Sequence, residues 1–172
     1  MPRAAPPPDI RPIRDGERPD LARIVAEHWG AAIVTSRGKV HDVSALPSML
    51  AVDPQSGSWL GVASYVIAGG ECELVLLEAF RRFGGVGTAL LASVVAEARR
   101  LSCTRLWLVT TNDNLHALRF YQRRGMCLVR VWPDATTRAR EKLKPQIPLT
   151  GEHGIPIRDE LELELQLGRG DA

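Results

Sequence analysis

Hydrophobic and polar residues follow two distinct periods along this chain. From Glu160 to Leu167 acids and leucines alternate in "ELELELQL", a period of two that predicts a strand with leucines toward a core and acids toward water. Leu90, Leu91, Val94, Val95, Ala98 and Leu101 recur instead at helical spacing and predict a helix over 87–101. Arg99 and Arg100 fall at the negative end of its dipole. Leu21, Ile24, Val25 and His28 predict an earlier helix, with Asp20 as its cap and Gly30 at its end.

Shorter apolar runs predict strands at 10–13, 59–67 and 73–79, and again in "TRLWLVTT" and "MCLVRVW". Gly69-Gly70 marks a hairpin between the second and third of these. Asn112, Asp113 and Asn114 offer a cap for the helix "LHALRFYQRR", which Gly125 closes. The pattern over 31–50 is ambiguous, with a second short helix or a loop expected near 43–50, and 139–143 suggests a helical turn or two. A hairpin, then helices alternating with strands, then an amphipathic strand predict an α/β (α+β) fold. Its expected form is one mixed, largely antiparallel sheet of about six or seven strands with flanking helices.

The chain has 172 residues, 45% of them hydrophobic and 24% charged, which fits a single domain over 9–170 after a flexible, proline-rich tail at 1–8. A net charge of +2 is too balanced to point to nucleic acid. No secretory h-region or membrane-length apolar run appears, so a cytoplasmic protein, monomer or homodimer, is expected. Cys72, Cys103 and Cys127 lack CxxC spacing, and His28, His41, His116 and His153 lack ligand spacing, so no metal is expected.

The segment "RRFGGVGTAL" holds glycines at 84, 85 and 87, between a strand with two arginines and a helix. Amides at a helix start have no intrahelical partner. Glycines bare them, and the dipole with Arg81 and Arg82 adds positive potential, making a pocket for an anion such as pyrophosphate. The alternative is a plain turn with glycines for close packing. A Walker loop would need Lys after Gly87, and a dinucleotide fingerprint would need a small residue at Leu90 and an acid where Thr110-Thr111 ends the next strand.

Arg82-x-x-Gly85-x-Gly87, after a strand and opening a helix, resembles the acyl-CoA-binding motif of the GNAT superfamily of N-acetyltransferases. "NLHALRFYQRRGM" resembles that family's later motif, with Met126 where Phe is usual. The resemblance implies acetyl transfer from acetyl-CoA to an amine by direct attack in a ternary complex; an idle acyl-CoA-binding module of the same fold is the alternative. It implies that the backbone of Leu77, Glu78 and Ala79 holds the pantetheine arm. Arg82, Phe83, Gly84, Gly85, Val86, Gly87 and Thr88 would cradle the pyrophosphate, and Asn114, Ala117 and Tyr121 would line the coenzyme. Tyr121 would be the acid for the leaving thiolate, or else a core aromatic. Glu73, Glu78 or water would be the base, with the two glutamates, five residues apart, expected on opposite faces. Arg123 and Arg124 are expected as a solvated helix end, and the link at 133–159 either covers the acceptor site or is a surface excursion.

Overall fold

The computed structural model describes residues 6–80 and 84–168. In chain order its strands are β1 (Asp9–Pro12), β2 (Ile33–Ser36), β3 (Lys39–Asp42), β4 (Ser48–Val52), β5 (Trp59–Ala68), β6 (Glu71–Ala79), β7 (Arg105–Thr111), β8 (Cys127–Trp132) and β9 (Glu160–Gln166). Its α-helices are α1 (Arg18–Trp29), α2 (Val86–Arg100), α3 (Leu115–Gln122) and α4 (Ala135–Lys142). Seven strands form one sheet in the order β1-β4-β5-β6-β7-β9-β8, and β2 pairs with β3 alone. Every neighbouring pair in the large sheet is antiparallel except β6 with β7. The expected mixed, largely antiparallel sheet is therefore present. Among the described residues no helix is long and apolar enough to cross a membrane.

Helices cover both faces. On one, Leu90, Leu91 and Val94 of α2 and Tyr121 of α3 pack with Ala63, Tyr65, Leu74, Leu106, Leu108 and Leu163. On the other, Leu21 and Val25 of α1, one helical turn apart, meet Leu50, Val62 and Leu76. Gly61 on β5 lets α2 approach: a β-carbon there would lie 2.5 Å from the Glu78 carbonyl oxygen and 2.9 Å from Val86 Cγ1. Gly61→Ala is expected to destabilise the fold by about 1–3 kcal/mol through overpacking. Urea unfolding at unchanged m-value would register the loss as a lower midpoint; an unchanged midpoint would show that the backbone absorbs the methyl.

Several local expectations are corrected. The 31–50 segment holds no α-helix: it is the β2–β3 hairpin, one turn of 3-10 helix (Val43–Ala45) and the start of β4. Arg37 and Gly38 sit at the hairpin tip with φ of 48° and 76°, the positive pair of a type I′ turn. Helix α1 begins at Arg18 with Pro19 in its first turn, so Asp20 lies inside it and pairs with Arg23 at 3.2 Å rather than capping it. Helix α4 begins at Ala135, a turn earlier than the sequence pattern suggests.

Two further corrections bear on chemistry. Leu74 and Leu76 are two apart on β6 yet belong to opposite cores. The register gives the reason, since Tyr65 pairs with Leu74 and Ser64 with Leu76, leaving Val75 as the extra residue of a bulge. Crossing that bulge turns Glu73 and Glu78 to the same face, the α1 face, not to opposite ones. On β9 Leu163 and Leu165 do reach the core, but the acids at 160 and 162 do not face water: Glu160 and Glu162 are each 4% exposed. Strand β9 lies inside the sheet between β7 and β8, and the β2–β3 hairpin reaches its acidic face through Arg37.

Candidate active site

The site begins where two parallel strands part. β6 and β7 pair only through Glu71–Arg105, Cys72–Leu106 and Glu73–Trp107. Beyond Glu73, β6 stays with β5 as far as Ala79, and β7 stays with β9 as far as Thr111. A wedge opens between them, in which alternate amides and carbonyls of the β6 edge have no strand partner among the described residues. Leu77, Glu78 and Ala79 form this edge. The Phe80 amide is not free: it donates to the Leu60 carbonyl at 2.8 Å.

Helix α2 starts at the mouth of the wedge. Gly84 and Gly85 take φ of 119° and 74°, with Gly85 at the N-cap, a region that favours glycine. Ala89 N–H makes the first bond back, to the Gly85 carbonyl at 2.9 Å, leaving the amides of Val86, Gly87 and Thr88 without helical acceptors. A β-carbon at Gly87 would meet the Phe120 ring at 3.3 Å, so this glycine also sets how closely α2 and α3 pack. Arg81, Arg82 and Phe83 lie outside the described residues.

Arg124 is not a solvated helix end. Its guanidinium donates to Thr88 Oγ1 at 2.6 and 3.0 Å and to the Phe120 carbonyl at 2.8 Å, and stacks 3.7 Å from the Phe120 ring centroid. It thus fixes a positive charge against the first turn of α2. The Arg-Arg pair in the sequence carried no sign of which arginine would turn inward.

Asn114 caps α3, its Oδ1 accepting from the Ala117 amide at 3.0 Å. About two turns on from the cap, Tyr121 is buried against Phe120 at a ring separation of 5.1 Å, nearly perpendicular. Its hydroxyl has no hydrogen-bond partner among the described residues, and burial pushes its pKa up. The phenol is therefore protonated across the neutral range. Asn112 and Asp113 pin the 133–159 link. The Asn112 side chain binds the Pro156 carbonyl and the amides of Arg158 and Asp159, and a β-carbon at Gly151 would overlap the Asp113 carboxylate. Lys144, from the same link, donates to the Ile33 carbonyl at 3.0 Å, tying the link to the β2–β3 hairpin.

The α1 face of the wedge is acidic. Glu78 accepts from His28 Nδ1 and from Trp29 Nε1, the latter at 2.7 Å, which anchors the end of α1 with both carboxylate oxygens. Glu73 is less engaged: it is 7% exposed, with His41 Nε2 3.6 Å from its Oε1. Of the two glutamates, Glu73 is the one with a carboxylate oxygen that accepts no hydrogen bond among the described residues. The histidines facing these acids have no spacing that marks them in the sequence; the hairpin and α1 deliver them through tertiary packing alone.

Residues 16–126 match the acetyltransferase (GNAT) family. The chain belongs to that family. The GNAT chain is 40% identical over 141 residues to the uncharacterized protein YdhI of Bacillus subtilis (strain 168), covering 82% of this chain and 87% of that one. It shares its fold with the IAA acetyltransferase from Bacillus cereus ATCC 14579, with a TM-score of 0.70 at 20% identity over 92% of this chain and 99% of that one. A Bacillus subtilis acetyltransferase in complex with CoA superposes with a TM-score of 0.67 at 20% identity, covering 92% and 98%. Family membership supports acetyl transfer as the general chemistry of this GNAT domain.

Proposed function

We propose that the chain is an N-acetyltransferase that moves an acetyl group from acetyl-CoA to an amine by direct attack in a ternary complex. One observation carries this reading. The wedge between β6 and β7 has a nest of unpaired amides on its α2 side and a buried carboxylate, Glu73, on its α1 side. The diphosphate would sit on the amides of residues 84–88, with Arg124 beside them and Arg82 and Phe83 contributing as the motif implies. The pantetheine arm would run along Leu77, Glu78 and Ala79, past Asn114 and Ala117.

The amine nitrogen attacks the thioester carbonyl carbon: a C–N bond forms as the C–S bond breaks. The nitrogen's proton passes to Glu73, directly or through water, and the departing thiolate takes the proton of Tyr121. Amides on the open β6 edge next to Val75 would receive the developing oxyanion. Glu78, saturated by His28 and Trp29, shapes the acceptor side instead of acting as base. No metal is needed for these steps.

Calorimetric titration with acetyl-CoA, followed by thiol release in the presence of primary amines, tests the reading. Binding with amine-dependent release supports it. Absence of acetyl-CoA binding would remove it, and binding without release for any amine would favour an idle coenzyme-binding module.

A further inference from the structure

The large sheet ends in two unlike edges. At one, β1 is four residues long, ends in Pro12 and carries Arg11 bound to Glu17 at 2.6 Å, features that discourage a further strand. At the other, β8 is six residues long and exposed over Cys127–Val131. Leu128, Val129 and Val131 are 50%, 46% and 49% exposed. Single exposed hydrophobics are ordinary, but three on one edge strand form an apolar strip. Alternate amides and carbonyls along its outer side have no strand partner among the described residues.

The pairing with β9 fixes the face that each side chain takes. Leu128 is opposite Leu163 and Val131 opposite Leu161, so both point to the α2–α3 face. Cys127, Arg130 and Trp132 are opposite Glu164, Glu162 and Glu160 and point to the other face. Leu128 and Val131 are three positions apart, yet they share a face because Val129 is the extra residue of a bulge. A regular strand laid along β8 would meet them with residues that point to opposite faces. A second copy of β8, running antiparallel about a two-fold axis, has the same extra residue and stays in phase. Leu128 then faces the partner's Val131 and Cys127 faces the partner's Trp132, each pair on one side of the sheet. A slip of one residue would set Leu128 against the partner's Arg130 or the partner's Trp132, on the wrong face.

We propose that a second copy of this chain docks antiparallel on β8, joining the two large sheets into one across a two-fold axis. Backbone hydrogen bonds complete the edge, and the Leu128–Val131 contact, made twice by symmetry, covers the exposed apolar side chains. Charge follows the same symmetry. Arg123, shortly before β8, is exposed and has no ion pair among the described residues. Asp134, just past the end of β8, has a side chain 58% exposed. Antiparallel pairing brings Asp134 toward the end where the second copy carries the partner's Arg123. Arg130 stacks on its own Trp132 at 4.6 Å and faces the partner's Val129.

Sedimentation equilibrium of the full chain between about 1 and about 100 μM should show a dimer. Reaction of Cys127 with dithionitrobenzoate should slow as the dimer forms, and Cys72 and Cys103 are buried and do not obscure it. Leu128→Lys or Val131→Lys should weaken the dimer by about 100-fold or more. Because both side chains are half-exposed in the single chain, the thermal melt at low concentration should not move. The register has its own readout. In a Cys127→Ser background, Leu128→Cys with Val131→Cys should oxidise to a disulfide-linked dimer, whereas Leu128→Cys with Arg130→Cys, on opposite faces, should not. A chain that stays monomeric across that range, or a dimer that both lysine variants leave intact, would overturn the proposal. So would cross-linking that favours the second cysteine pair. Sedimentation of the unsubstituted chain decides the matter even if a variant does not fold.

Discussion

Gly85→Asp is expected to weaken acetyl-CoA binding by about 100-fold or more while lowering the melting temperature by only a few degrees. The position isolates the nest from the rest of the fold. A β-carbon at Gly85 would meet nothing within 4 Å, so the substitution does not disturb packing. The residue's φ of 74° is one that aspartate and asparagine tolerate better than other side chains. What changes is the charge: a carboxylate placed at the N-cap would sit where the diphosphate is expected and would itself favour the helix dipole. The fold therefore keeps most of its stability while the anion meets a like charge. Gly85→Asn controls for shape, with a loss of about tenfold or less expected because no charge is added. Calorimetry with acetyl-CoA, beside a thermal melt, reads both quantities. If the melting temperature collapses while affinity persists, the glycines serve the turn and not a ligand.

Which features could be read from the sequence follows from how local each one is. The start of α2 is fixed by neighbouring residues: glycines at 84, 85 and 87 and an apolar stripe with a helical period. Both the turn and the helix could be located from those residues alone. The α3 cap was legible for the same reason, because Asn114 reaches only to the Ala117 amide. Bulges are different. Nothing within "ECELVLLEA" separates Val75 from its neighbours, since the extra residue is set by how β6 registers against β5. That single residue decides whether Glu73 and Glu78 share a face. The acids of β9 likewise alternate as they would on a solvated strand. They are buried because β8 closes the sheet edge beyond them and the hairpin, with Arg37 at its tip, lies across them. Arg37 at the first centre of a type I′ turn, where Asn, Asp or Gly is usual, hid that hairpin. Arg124 turns inward because Phe120 and Thr88, 36 residues away from it in the second case, offer it a ring and a hydroxyl.

Tyr121→Phe is expected to lower kcat by about 100-fold or more with acetyl-CoA affinity changed by threefold or less. The substitution is unusually clean. Because the Tyr121 hydroxyl has no partner among the described residues, its removal strands no buried donor or acceptor. The ring still packs edge-on against Phe120 in the core with Leu74, Leu108 and Met126. The melting temperature should therefore be unchanged or slightly higher. A phenol held protonated by burial can donate as the C–S bond breaks and the sulfur gains charge; phenylalanine offers no proton, so the thiolate must leave unassisted or wait for water. The deficit should shrink with a thioester whose thiol has a lower pKa, since a better leaving group needs less help. A packing role predicts the same deficit for both thioesters. If kcat for acetyl-CoA survives the substitution, Tyr121 is a core aromatic and the proton reaches sulfur by another path.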